Sequence, residues 1–93
     1  MIQSFGDKET ERIFNQEFSR KIAPDIQSRA LIKLLLLENA EREEDLRIPP
    51  SNNFEHLKGD KKEFCSIRIN KQWRIVFRFS QGHCFDVSIV DYH

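Results

Sequence analysis

From Cys65 to Val90 the chain reads CSIRINKQWRIVFRFSQGHCFDVSIV, and its apolar residues fall at every second position. Cys65, Ile67 and Ile69 alternate with Ser66, Arg68 and Asn70. Trp73, Ile75, Phe77 and Phe79 alternate with Arg74, Val76 and Arg78. Phe85, Val87 and Ile89 alternate with Asp86, Ser88 and Val90. A period of two is the strand repeat, because successive side chains point to opposite faces of a sheet. Strands joined by connections this short pair antiparallel, so the stretch predicts a three-stranded meander. Its register follows from parity. A two-residue turn at Asn70 and Lys71 would set Ile67 against Arg74 and turn the two apolar sets opposite ways. A three-residue loop, Asn70 to Gln72, pairs Ile67 with Ile75 and Arg68 with Arg74. One face is then apolar, and the other displays Arg68 across from Arg74 with Arg78 and Ser88 nearby. The same parity sets Cys65 on the apolar face and Cys84 on the polar one with Asp86, too far apart in direction for a disulfide.

Upstream of the meander the period lengthens. Asp7 can cap a helix from Lys8 to about Arg20 whose narrow stripe is Ile13, Phe14 and Phe18. Pro24 suits the first turn of a second helix running to about Ala40, with Ile26, Ala30, Leu34 and Leu37 on its apolar face and Leu31 and Leu35 alongside. Ile2 to Phe5 reads as a short starting strand. Between Glu41 and Leu57, an acidic run followed by Pro49, Pro50, Ser51, Asn52 and Asn53 predicts a loop or short helical turn, tacked down by Leu46, Ile48, Phe54 and Leu57. The expected fold is one α+β domain over residues 1–93, ordered β-α-α-β-β-β, with two helices on one face of a mainly antiparallel four-stranded sheet.

The 93 residues suit a single core, and 39% hydrophobic with 32% charged residues is the composition of a folded protein. The longest apolar run, Leu34 to Leu37, is far short of the roughly 18 to 20 residues of a membrane span. The beginning of the chain has no basic and apolar leader, so the expected location is the cytoplasm, where two cysteines read as free thiols. Net charge is zero, yet residues 1–55 carry 8 basic and 11 acidic side chains and residues 56–93 carry 7 and 4. The carboxyl-terminal part is therefore the candidate anion-binding half, through a local patch rather than bulk charge.

Like charges directly opposite one another weaken a strand pair, so Arg68 facing Arg74 points to an anion, and Arg74→Ala is expected to be neutral or slightly stabilising. The plainer reading is a solvated face in which Asp86 neutralises Arg78. Lys58, Lys61 and Lys62 around Gly59 add positive charge beside the first meander strand. At the chain end, Asp91, Tyr92 and His93 supply a carboxylate, a phenol and an imidazole, and alternation sets Tyr92 on the arginine face. Acid, base and cationic clamp are the requirements for attack of a ribose 2′-hydroxyl on its neighbouring phosphate. His56 and His83 have no second ligand at zinc spacing, although His56 can line such a site.

Four ordered stretches carry a family likeness: Ile48 to Asn52 with Leu57-Lys58-Gly59-Asp60, Ser66 to Asn70, Gln72 to Ile75, and the closing Val90-Asp91-Tyr92-His93. With Met1 to Phe5 they resemble the HigB toxins of the RelE superfamily over nearly the whole chain. The resemblance implies a compact RelE-like domain and a type II toxin that enters the ribosomal A site and cleaves mRNA without a metal or other cofactor. A HigA-like helix-turn-helix antitoxin would silence it, and the complex would bind operator DNA through that antitoxin. Carried over by position, the resemblance implies catalytic roles for Asp91, Tyr92, His93, Arg74 and Lys58, with Arg68, Arg78, Lys61, Lys62 and His56 toward RNA. Some members carry a histidine where this chain has Glu55, with His56 one step later. The alternative is a non-catalytic binding toxin or regulator on the same fold, resembling gyrase-directed ParE.

Overall fold

The computed structural model describes residues 1–91. Three helices, α1 (Lys8–Phe14), α2 (Pro24–Asn39) and α3 (Glu43–Leu46), precede a sheet of β1 (Glu55–His56), β2 (Phe64–Arg68), β3 (Trp73–Ser80) and β4 (His83–Asp91). The strands lie in chain order and every pairing is antiparallel.

The three-residue loop is present. Ile67 pairs with Ile75 and Arg68 with Arg74, and the Asn70 carboxamide oxygen accepts from the Gln72 and Trp73 amides at 2.8 and 2.7 Å. An asparagine at this position supplies the turn's acceptor from its own side chain, which fixes the loop length.

The β3–β4 pair departs from simple alternation. Its register shifts between Val76 and Arg78, and Asp86 has a φ of 54°. The resulting bulge inserts one residue, and every side chain beyond it changes face. Cys84 therefore packs in the core opposite Phe79, fully buried, and Phe85 moves to the arginine face beside Arg78. This corrects the expected parity of Cys84. Both cysteines are nevertheless free thiols, on strands separated by β3.

The fourth strand is also not the expected one. Ile2 to Phe5 makes only two isolated parallel bridges to β4, at Cys84 and Val87, because the bulge interrupts the edge it follows. The Ser4 hydroxyl accepts the Asp86 amide at 2.9 Å, and Gly6 passes so close to Ser88 that a Cβ there would strike its hydroxyl. The fourth place in the sheet belongs to β1, inside the segment read as loop.

The helices cover the apolar face. Asp7 caps α1 by accepting the Thr10 amide at 2.7 Å, but α1 ends at Phe14, not near Arg20, and Gln16 turns left-handed at φ 62°. The chain beyond is strapped down by polar groups. The Ser19 hydroxyl donates to Glu9 at 2.6 Å, and the Gln27 side chain bonds both the Ser19 amide and its carbonyl. Phe18 is consequently exposed, and Phe14 packs on Phe5 instead. On α2, Ile26, Ala30, Leu34 and Leu37 are buried as expected, while Leu35 is exposed. Leu46 anchors the following loop, together with a fully buried Asn52 whose amide donates to the Leu46 and Ile48 carbonyls and whose oxygen accepts from Lys33. Ile48 itself points outward, so a carboxamide does the tacking expected of that side chain.

Candidate active site on the open face of the sheet

The face of the sheet turned away from the helices is built on the pair Arg68 and Arg74. Although they are direct partners, their surroundings differ. Arg74 is only 6% exposed, with Nε donating to the Ser66 hydroxyl at 2.9 Å and Nη2 donating to the Asn53 carbonyl at 2.7 Å. Ser66 is fully buried beneath it. The Asn53 carbonyl is aimed by a local signal: the 3₁₀ turn Pro50–Asn52 ends at Asn53 in the left-handed region, a conformation that asparagine tolerates. Arg68 is half-buried and donates from Nε to the Asn70 carbonyl at 3.0 Å. The charges are thus held in different ways, one sunk into the sheet and one laid along the turn. The sequence reading expected both to be displayed, and the burial of Arg74 corrects it.

Asp91 pairs with Trp73, one step along from the Arg74 to Val90 pair, and its carboxylate accepts from the Gln72 amide group at 3.1 Å. It is exposed near the end of the sheet where the two arginines lie, but its partner Trp73 has the parity of Ile75 and Phe77, so alternation directs Asp91 to the helix side and not to the arginine face. Tyr92 and His93 lie outside the described residues.

Lys58 is exposed and extended just before a 3₁₀ turn, Gly59–Lys61, that starts with Gly59 at φ 69°. Lys61 lies over the Phe64 ring at 5.6 Å, and Lys62 closes the turn. Phe64 and Arg78 are partners across β2 and β3. Arg78 donates to Asp86 at 2.9 Å and lies 5.2 Å from the Phe85 ring centre, so this guanidinium has the carboxylate partner that the plainer reading gave it.

His56 does not join the arginines. It pairs with Cys65, a core-facing residue, which directs it to the helix side, where Nε2 lies 2.5 Å from the Glu43 carboxylate and the ring meets Phe54 edge-on. Glu55, opposite Ser66, is the β1 residue on the open face. Sequence reasoning missed Ser66, Asn53 and Phe85 as parts of this face. Ser66 was visible in the alternation, whereas Phe85 reaches the face only through the bulge. Among the described residues, no group of three or more His, Cys, Asp or Glu side chains is arranged to hold a metal ion. No helix among them is long and apolar enough to cross a membrane.

Residues 3–93 match the family model for the RelE-like toxin of the type II toxin-antitoxin system HigB. The chain belongs to this family. It is similar to Toxin HigB-1 of Vibrio cholerae serotype O1, with 43% identity over 83 residues that span 88% of this chain and 87% of that protein. It is also similar to Endoribonuclease HigB of Proteus vulgaris, with 27% identity over the full length of both. A HigB-like toxin of a type II system has an antitoxin as its partner.

Proposed function

We propose that this HigB-like toxin is an endoribonuclease that cleaves mRNA in the ribosomal A site, so arresting translation and growth, and that a HigA-like antitoxin silences it. The observation that carries this reading is Arg74, a guanidinium sunk into the sheet by Ser66 and Asn53 and facing Arg68. A cation fixed before substrate arrives stabilises developing charge without reorganising, which is the largest single contribution available to phosphoryl chemistry. The name of the Proteus vulgaris relative supports the same activity here.

In this reading the ribose 2′-oxygen bonds to the adjacent phosphorus as a base takes its proton. The bond from phosphorus to the 5′-oxygen then breaks, and an acid returns a proton to that oxygen. The products are a 2′,3′-cyclic phosphate and a 5′-hydroxyl. Tyr92, or Asp91 reaching around the end of β4, serves as base and His93 as acid, while Arg74, Arg68 and Lys58 hold the phosphorane charge. Tyr92 also offers a ring for base stacking. Lys61, Lys62 and Arg78 flank the strand, the last with its charge shared by Asp86. His56, bonded to Glu43 on the other side of β1, has no role in it. The ribosome supplies positioning and excludes water.

Purified protein is incubated with naked mRNA and with a programmed ribosome complex. Cleavage is expected only in the complex, and His93→Gln is expected to lower it roughly 100-fold to 10,000-fold. Comparable cleavage of naked mRNA would overturn the ribosome requirement. Growth arrest with intact mRNA would overturn the nuclease reading in favour of a gyrase-directed action.

A further inference from the structure

A groove of about 840 Å³ runs from α2 to the β2–β3 turn, past the loop after Pro49. Among the described residues, its lining includes Arg29, Lys33, Arg68 and Lys71, and no carboxylate. The ion pairs among the described residues engage Arg12, Arg42, Arg47, His56 and Arg78, and none engages these four. Arg29 and Lys33 are four apart on α2, a spacing at which like charges meet on one helix face and repel. Burial and the neighbouring Arg29 charge both push the Lys33 pKa down. An anion in the groove would relieve both effects.

The groove is continuous with the arginine site. Arg68 belongs to both, and Asn53, whose carbonyl holds Arg74, is part of the lining. Among the described residues no aromatic ring lines it, and these offer nothing on which a base could stack. Side chains such as Ser51 and Asn53 add hydrogen-bonding groups of the kind that contact phosphate and sugar.

We propose that this groove is a track for the RNA backbone: it takes the phosphodiester strand leading away from Arg68 and Arg74 and holds it through phosphates, without reading the bases. The identity of the polyanion rests on the nuclease reading, whereas the location and chemistry of the track rest on the groove itself.

The test measures binding by the full chain of a 2′-O-methyl oligoribonucleotide, which lacks the attacking hydroxyl and so reports affinity apart from chemistry. Affinity is followed from 50 to 300 mM salt, a range set on the order of the screening lengths involved. Replacing Arg29 and Lys33 together by Gln is expected to weaken binding at least about tenfold at low salt. The slope of log affinity against log salt should fall by roughly 1.4, about 0.7 for each phosphate contact to a single strand. Because Lys33 also bonds the buried Asn52, Lys71→Gln in the exposed turn is a second, fold-neutral variant, with an expected slope change of roughly 0.7. Unchanged slopes in both variants would overturn the track. Tight binding of polyglutamate, lost in the double variant, with no binding of the oligonucleotide, would overturn it in favour of an acidic polypeptide. A protein that never cleaves mRNA but loses oligonucleotide affinity in both variants would refute the nuclease and support the track.

Discussion

Phe77 and Arg74 lie three residues apart on β3, on opposite faces of the sheet, and both are nearly closed to solvent. Phe77 is covered by generic apolar contact from the helix side, among Ile67, Ile75, Leu34 and Leu37. Arg74 is covered because two particular acceptors, a serine hydroxyl and a backbone carbonyl, meet its guanidinium. The first kind of burial depends on volume and is non-directional. The second depends on direction, since a buried polar group is tolerated only when it is hydrogen-bonded. The helix face can therefore be read as a core, and the open face as a device for holding charge where substrate could meet it.

The largest test of this contrast is Phe77→Ala, which empties the centre of the apolar face and is expected to lower stability by roughly 3 to 5 kcal/mol. Denaturant titration measures it, and a loss below about 1 kcal/mol would mean that the helix face is not the core. Next comes Arg74→Ala, which strands the Ser66 hydroxyl and the Asn53 carbonyl. An expected loss of roughly 1 to 3 kcal/mol follows from the unmade hydrogen bonds. This reverses the expectation drawn from like-charge repulsion alone. Under the proposed function it also lowers cleavage by an order of magnitude or more. Arg68→Ala, its direct partner, should by contrast stay within about 0.5 kcal/mol of the parent, because only one bond to a turn carbonyl is lost. Equal losses at the two positions would erase the distinction between them.

The thiols probe the same contrast through pH. Burial raises the Cys65 pKa to about 11 and the Cys84 pKa to about 12, above the ordinary value of 9.0. A raised folded-state pKa means that the unfolded chain releases the proton first, so this contribution to stability is complete below pH 9 and is lost as pH rises toward 11 and 12. At pH 8 a thiol reagent should find neither cysteine in the folded protein and both after unfolding without reductant. Fast reaction of Cys84 would mean that the bulge does not turn it inward. Arg78→Ala also has a small effect. Its pair with Asp86 is partly exposed, so roughly 0.2 to 1 kcal/mol is expected at low salt and less at high salt.

Much of this architecture is legible in the chain because it follows from short-range rules. The alternation from Cys65 to Phe79, the Asn70 turn, the Asp7 cap and the apolar face of α2 each depend on residues within a few positions of one another. The arginine pair followed from parity and a turn length, with no tertiary information. What escaped was the length of α1, the role of β1, the facing of Cys84 and Phe85, and the depth of Arg74. Each depends on a partner distant in sequence: Gln27 for the chain after α1, β2 for Glu55 and His56, β3 and Ser4 for the bulge, and Asn53 for Arg74.

The sequence by itself determined that the meander exists, that Arg68 opposes Arg74, and that the chain resembles the HigB toxins, because period, turn chemistry and motif order are local properties of a string. Only the tertiary structure decided which of these cations lie together. Whether a guanidinium is buried, paired with a carboxylate like Arg78, or set along a groove with other cations depends on what the fold brings within about 3 to 4 Å of it. That distance is set by packing between segments the sequence keeps far apart. That packing turns His56 away from the arginines one strand away, and it sets Arg29 and Lys33 of α2 along one groove with Arg68 of β2 and Lys71 of the turn after it.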